Sequence, residues 1–177
     1  MDRQKNLTEY CFAEISDVPK GRGNLGDSMP VDIYRLFQYT LRDTLEQEEG
    51  HERMVRIFRD AGKKAGKKLT EVFLNVHQSP DHFLAELQKI MQEKKIGVLR
   101  VEEFDPDSGR AVMTVSEDLD CSGLPMLSQT VCNYDEGLIA GILEQYTGKS
   151  YQVTETDCWA TGARACRFVA VPNQEIL

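Results

Sequence analysis

The sequence lacks most of the signals by which enzymes and membrane proteins are recognised. It has one tryptophan, three histidines and six prolines in 177 residues, and it contains neither a GxSxG nucleophile motif nor a GxxxxGK[ST] phosphate loop. No apolar run approaches the ~20 residues of a membrane-spanning helix. Basic residues are outnumbered, since 21 lysines and arginines against 29 acidic residues give a net charge of −8. This charge argues against a general role at nucleic acids or membrane surfaces.

The composition is that of one ordinary globular domain. Hydrophobic residues make up 41% of the chain and charged residues 28%, which is enough apolar material for a core. The N-terminal residues lead into no apolar signal segment, so we expect a cytoplasmic protein. In that compartment the five cysteines are expected to be reduced thiols, metal ligands or redox groups rather than a disulfide framework.

Apolar periodicity predicts an α+β fold. We expect residues 1–30 to form an N-terminal arm with a short strand near 10–15, and residues 31–177 to form a single domain. The predicted elements follow the order α-α-α-β-β-α-β-β, and they cover about 31–48, 51–76, 80–91, 98–102, 111–115, 133–147, 150–157 and 165–171. Because hairpins pair their strands in opposite directions, we predict an antiparallel sheet of four to five strands packed against helices.

Two apolar patterns give more specific expectations. The first long helix carries an apolar face of the kind that packs on a core, formed by Ile33, Leu36, Phe37, Leu41 and Leu45. The second carries a stripe of small residues, Ala61, Gly62, Ala65 and Gly66. This stripe favours close helix packing or a dimer contact over a ligand-contacting surface.

Three cysteines and one glutamate fall in the last αββ unit. Cys132 stands at the start of the helix, where the helix dipole stabilises a thiolate. Cys158 and Cys166 flank the loop between the two strands, and Glu155 lies just inside the first strand. Three thiolates and a carboxylate would give zinc a closed, structural site. The spacing alone leaves two alternatives open: buried apolar thiols, or a disulfide between Cys158 and Cys166.

The same region resembles a known family. Residues 132–143 (CNYDEGLIAGIL), 153–158 (VTETDC) and 166–168 (CRF), with Gly148 and Gly162 between them, are similar to the 4-vinyl-reductase domain. Residues 26–31 and 61–66 are similar to it more loosely. The 4-vinyl-reductase domain also forms the sensor of phenol-responsive transcription activators. The resemblance implies a fold shared with haem-based NO sensors and the small TRAPP subunits, and it implies a homodimer.

The resemblance also implies a metal site. In the phenol sensors three cysteines and a glutamate hold one zinc, and the matching positions in this chain are Cys132, Glu155, Cys158 and Cys166. Cys11 and Cys121 fall outside the motif, and we interpret them as buried or free thiols.

A hydrophobic ligand pocket beside the zinc hairpin is implied as well. Strand alternation and the apolar face of the last helix point to Ile142, Val153 and Phe168 as lining residues, with an ordinary core role as the alternative. The only tryptophan, Trp159, lies beside Cys158, and the chain has no counterpart of the His–Trp pair that holds a phenol hydroxyl in those sensors. This departure leaves open a more apolar ligand, or none.

These observations predict a cytosolic, zinc-containing module that binds a hydrophobic small molecule and signals to a separate partner protein. Two alternatives come from the family resemblance. One is an enzyme or accessory factor in tetrapyrrole vinyl reduction. The other is a structural, dimeric interaction module without an accessible cavity.

Overall fold

A computed structural model describes residues 18–173, and the predicted strand near 10–15 and Cys11 lie outside that range. Its helices are α1 (Val18–Gly21), α2 (Val31–Glu49), α3 (His51–Phe73), α4 (Pro80–Glu93) and α5 (Asn133–Thr147). Its strands are β1 (Val98–Phe104), β2 (Ala111–Ser116), β3 (Tyr151–Asp157) and β4 (Cys166–Pro172), with a 3₁₀ turn at Trp159–Thr161. The predicted α-α-α-β-β-α-β-β order is therefore confirmed, with α1 added before it.

The four strands form one antiparallel sheet in the order β1-β2-β4-β3. The β1–β2 hairpin closes where Gly109, at φ 78°, donates its N–H to the carbonyl of Asp105 at 2.7 Å. Val115 of β2 pairs with Cys166 of β4, so this cysteine lies on an inner strand of the sheet. A register shift between Glu155 and Asp157 makes β3 irregular just before Cys158.

Helix α5 lies between α3 and strands β3 and β4, and it is buried along most of its length. Its backbone touches that of α3 directly. A Cβ added at Gly62 would lie 1.9 Å from the carbonyl oxygen of Tyr134, and one at Gly137 would lie 2.0 Å from that of Arg59. Only glycine fits such an approach, because any side chain would meet backbone. The two glycines of the small-residue stripe, Gly62 and Gly66, thus pack against α5, whereas Ala61 is exposed beside them.

Helix α2 buries polar residues where apolar ones were expected. Its buried residues are polar, Gln38 and Arg42, whereas Leu36 and Phe37 are 62% and 68% exposed. The expectation that the apolar face packs on the core is therefore wrong for this helix. The reason is that its polar side makes the hydrogen bonds: Arg35 donates to the carbonyls of Asp118 and Leu119, and Arg42 donates to that of Val131.

Candidate metal and ligand site

Four cysteines meet beside the N-terminus of α5. Cys121 comes from the irregular segment 117–132, Cys132 precedes the first turn of α5, Cys158 follows β3, and Cys166 begins β4. All four are completely buried, and their sulfur atoms lie within 4.8 Å of one another. The Sγ–Sγ distance is 3.1 Å between Cys121 and Cys166, 3.7 Å between Cys132 and Cys166, and 3.9 Å between Cys132 and Cys158.

The two separations that involve Cys132 match the geometry of a metal ion with four thiolate ligands. A tetrahedron with Zn–S bonds of about 2.3 Å has edges of about 3.8 Å. The structure thus brings Cys132, Cys158 and Cys166 together as the sequence predicted. It adds Cys121, which is buried, as expected of a thiol outside the motif, but which lies within the cluster.

Glu155 is next to this cluster without being part of the four-sulfur group. Its Oε2 accepts a hydrogen bond from the backbone N–H of Cys132 at 3.0 Å, and its Oε1 has no partner among the described residues. Burial, followed by the negative charge of Cys158, raises its pKa to about 8. Its role as a zinc ligand therefore stays a prediction.

The thiols influence one another strongly. Hydrogen bonds from Cys121, Cys132 and Cys166 lower the pKa of Cys158, whereas hydrogen bonding to Cys121 and Cys158 raises the pKa of Cys132. The cluster therefore favours deprotonation of one cysteine and disfavours deprotonation of a second one beside it. A bound divalent cation reduces this opposition, because its positive charge stabilises each thiolate that holds it.

A carboxylate fixes the loop that carries Cys121. Asp118 Oδ1 accepts the backbone N–H of Asp120 at 2.8 Å and that of Cys121 at 3.0 Å. Burial raises the pKa of Asp118 to about 6. The turn at 118–121 is thus held by its own side chain, and it aims the Cys121 sulfur into the cluster.

A polar network anchors the start of α5 to its neighbours. Glu136 Oε1 accepts the backbone N–H of Glu155 at 2.9 Å, and Glu136 Oε2 accepts the Nε–H of Arg59 at 2.6 Å. Asn133 donates to Glu136 at 3.1 Å and accepts from Arg42 at 2.8 Å. The network joins α2, α3, α5 and β3 around the cysteine cluster.

Two cavities of about 200 Å³ each lie on the α2 side of this network and share Tyr34 and Tyr134. The outer chamber lies between α2 and α3, and its apolar lining includes Phe37, Leu41, Leu45, Ile57, Phe58 and Ala61. The inner chamber is lined by Ala65, Leu69, Ile96, Leu119 and Leu138, with the carboxylates of Asp120 and Asp135. Two adjoining apolar spaces with a polar end form a candidate ligand site.

Several buried oxygen atoms at the polar end of the chambers have no hydrogen-bond donor among the described residues. Asp120 Oδ1 accepts the hydroxyl of Tyr34 at 2.9 Å, but Asp120 Oδ2, Asp135 Oδ2 and Gln38 Oε1 have no partner among the described residues. Burial raises the pKa of both aspartates. An unpaired buried acceptor costs about 1–3 kcal/mol, so a ligand that donates a hydrogen bond there is favoured.

The predicted lining residues lie elsewhere. Ile142 and Phe168 are buried in the core and line neither chamber, which fits the core alternative, and Val153 lies beside a surface groove with Arg59 and Gln152. Sequence reasoning missed Tyr34, Asp120 and the other chamber residues. The available signal was the helical spacing that places Tyr34 and Gln38 on the same side of α2 as Phe37, Leu41 and Leu45.

The fold and the cysteine cluster define an α+β domain with a buried thiol centre at a helix N-terminus. Residues 111–172 match the family model of the 4-vinyl-reductase domain. This match and the fold similarity to a vinyl-4-reductase family protein confirm the predicted resemblance.

Relatives and solved structures agree with this assignment. Two uncharacterized proteins of Methanocaldococcus jannaschii are similar: MJ0150 is 26% identical over 88% of this chain and 82% of its own length, and MJ1642 is 28% identical over 81% and 78%. A vinyl-4-reductase family protein from the same organism superimposes with a TM-score of 0.62 at 18% identity, covering 98% of this chain and 99% of that one.

Two further solved structures have a similar fold. The phenol-responsive sensory domain of the transcription activator PoxR, solved with phenol, has a TM-score of 0.65 at 16% identity over 84% of this chain and 78% of that one. A trafficking protein particle complex subunit 3 from Naegleria fowleri, covalently bound to palmitic acid, has a TM-score of 0.63 at 12% identity over 81% and 95%. Across residues 18–173 no helix has the length and apolarity of a membrane span.

Proposed function

We propose that this protein is a ligand-binding or sensory module whose ligand occupies the outer and inner chambers. The observation that carries this proposal is the pair of adjoining apolar cavities that share Tyr34 and Tyr134 and end at unpaired acceptors on Asp120 and Asp135. The similarity in fold to a phenol-responsive sensory domain supports it. The structural-module alternative predicted no accessible cavity, so the chambers favour ligand binding over it.

The chambers favour a small, mostly apolar molecule that carries one hydrogen-bond donor. A cavity of roughly 150 Å³ holds a benzene-sized molecule, and each chamber measures about 200 Å³. The apolar body would fill the outer chamber, and a hydroxyl or amine would reach Asp120 or Asp135. A hydroxyl-bearing or amine-bearing ring or short chain satisfies both requirements.

One zinc ion is proposed to hold the cysteine cluster. Its ligands would be Cys132, Cys158, Cys166 and a fourth donor, for which Glu155 and Cys121 are the candidates. Four protein ligands leave no open position, so the metal supplies a structural cross-link between segments distant in the chain.

A homodimer would cover the apolar face of α2. Val31, Ile33, Leu36, Phe37 and Leu41 are all exposed on this helix. An apolar patch of this kind is typical of an interaction surface. Because α2 also lines the outer chamber, a ligand-dependent change in its position could be read by the second copy or by a separate output protein in the cytoplasm. The alternative role in tetrapyrrole vinyl reduction stays a prediction, which turnover of a vinyl tetrapyrrole with NADPH would test.

The ligand site can be tested by thermal shift with matched compounds. Benzyl alcohol and benzylamine are compared with toluene, which has the same ring without a donor. We expect a larger rise in Tm with the two donors, and loss of that difference in Asp120→Asn. Asp107→Asn, in the exposed β1–β2 turn, is the control.

A second variant tests the position of the ligand. Ala61→Phe adds a ring to the wall of the outer chamber without disturbing the core, because Ala61 is exposed. It should abolish the shift with all three compounds. Shifts in Ala61→Phe equal to those of the wild type would contradict the proposed site.

A further inference from the structure

The fourth metal ligand decides which parts of the fold the metal holds together. Glu155 is the donor that the family motif predicts, and Cys121 is the donor that the fold supplies. The two choices differ in consequence. Glu155 would restrict the metal to α5, β3 and β4, whereas Cys121 would also tie in the segment 117–132.

The positions of the sulfur atoms favour Cys121. Its Sγ lies 3.1 Å from that of Cys166, and all four sulfurs fall within 4.8 Å of one another, a group to which no Glu155 oxygen belongs. The turn that aims Cys121 inward is held by two hydrogen bonds to Asp118. A thiol placed in this way, at 0% exposure, supplies the fourth sulfur of the group.

The contacts of Glu155 give it a different role. Its Oε2 is occupied by the backbone N–H of Cys132, and its Oε1, which has no partner among the described residues, does not belong to the four-sulfur group. A carboxylate bonded to the N–H of a metal-binding cysteine orients that ligand from outside the coordination shell. Thiolate is also the softer donor and the one preferred in structural zinc sites.

We propose that Cys121 is the fourth ligand, so that the metal centre is an all-thiolate site made by Cys121, Cys132, Cys158 and Cys166, with Glu155 as a supporting carboxylate. This inference rests on the metal site proposed above. It couples the metal to the ligand chambers, because Asp120, which lines the inner chamber and accepts the Tyr34 hydroxyl, is bonded directly to Cys121 along the chain. The metal would thus fix one wall of the ligand site.

The donor set can be counted directly. Zinc K-edge X-ray absorption on the purified, zinc-loaded protein should give four sulfur neighbours in the wild type and in Glu155→Gln, which keeps an acceptor for the Cys132 N–H. Cys121→Ser should show three sulfurs and one lighter atom, with zinc affinity reduced by more than the ~10–100-fold expected for loss of a supporting group. Met126→Ser, at a position 77% exposed on the same segment as Cys121, is the control and should leave both readings unchanged.

The opposite result has a distinct signature. Three sulfurs and one oxygen in the wild type, with the oxygen altered in Glu155→Gln and no effect of Cys121→Ser, would overturn the inference. So would a disulfide between Cys121 and Cys166 in the freshly purified protein. The wild-type and Glu155→Gln spectra decide the question even if Cys121→Ser does not fold. The ligand-induced Tm shifts of the wild type are measured separately. A wrong donor set can therefore be distinguished from a wrong ligand-binding proposal.

Discussion

Helices α5 and α2 are held in the fold by opposite means. Helix α5 is buried between α3 and the sheet, and glycines bring its backbone against that of α3. Helix α2 buries only Gln38 and Arg42, and its apolar residues are exposed or line the outer chamber. The first arrangement cannot move without breaking backbone contacts, whereas the second is held by a few polar bonds. The chambers lie between α2 and the tightly packed α3–α5 pair, where a ligand can act on structure.

The largest expected effect comes from disturbing the α3–α5 contact. Gly137→Ala places a Cβ 2.0 Å from the carbonyl oxygen of Arg59, so the helices must separate. We expect a loss of about 3 kcal/mol or more in the free energy of unfolding, measured by urea denaturation. Gly21→Ala is the control, since nothing lies within 4 Å of its added Cβ. Equal stability of the two variants would mean that α3 and α5 are not in backbone contact.

Removal of the proposed metal should come next in size. A metal present at a hundredfold its Kd stabilises the folded state by about 2.7 kcal/mol, so chelation should lower Tm markedly. Because the thiols must lose protons to bind, the unloaded protein holds more protons than the loaded one. The stabilisation should therefore be largest at pH 8 and shrink as the pH falls to 5.5. A metal-dependent gain in Tm that is the same at pH 8 and at pH 5.5 would argue against thiolate ligation.

An intermediate effect is expected from releasing α2. Arg42→Met leaves the carbonyl of Val131 and the Oδ1 of Asn133 without their donor, which should cost about 1–3 kcal/mol. Ligand-induced Tm shifts should fall as well, because α2 forms one wall of the outer chamber. Arg53→Met, an exposed position on α3, is the matched control. Unchanged ligand-induced Tm shifts in Arg42→Met would show that ligand binding does not depend on how α2 is held.

The smallest effect on monomer stability is expected at the exposed face of α2. Leu36→Glu should change the free energy of unfolding by no more than about 0.5 kcal/mol, since surface substitutions rarely do more. It should nevertheless convert the proposed dimer to a monomer in sedimentation velocity. Met126→Glu, exposed on the segment before α5, should leave the dimer intact. A dimer that survives Leu36→Glu would place the interface elsewhere.

The sequence predicted the parts of the fold that local pattern determines. The last helix and the final hairpin follow from periodicity, and hairpin geometry brings Cys158 near Cys166. The place of Cys132 beside them was implied by the family resemblance. Cys121 could not be placed, because the segment 117–132 has no periodicity and its path depends on distant bonds such as that from Arg35. The inward side of α2 was missed for the same reason. Apolar spacing identifies a face, but it does not reveal that Arg42 will find partners far along the chain.

The most direct test of the account is the position of a bound ligand. Methyl-labelled NMR spectra of the zinc-loaded protein, titrated with benzyl alcohol, report on every isoleucine, leucine and valine. The account predicts shifts at Leu45, Ile57, Ile96 and Leu138, which line the two chambers. Shifts at Ile142 and Val153, with the chamber methyls unchanged, would contradict it.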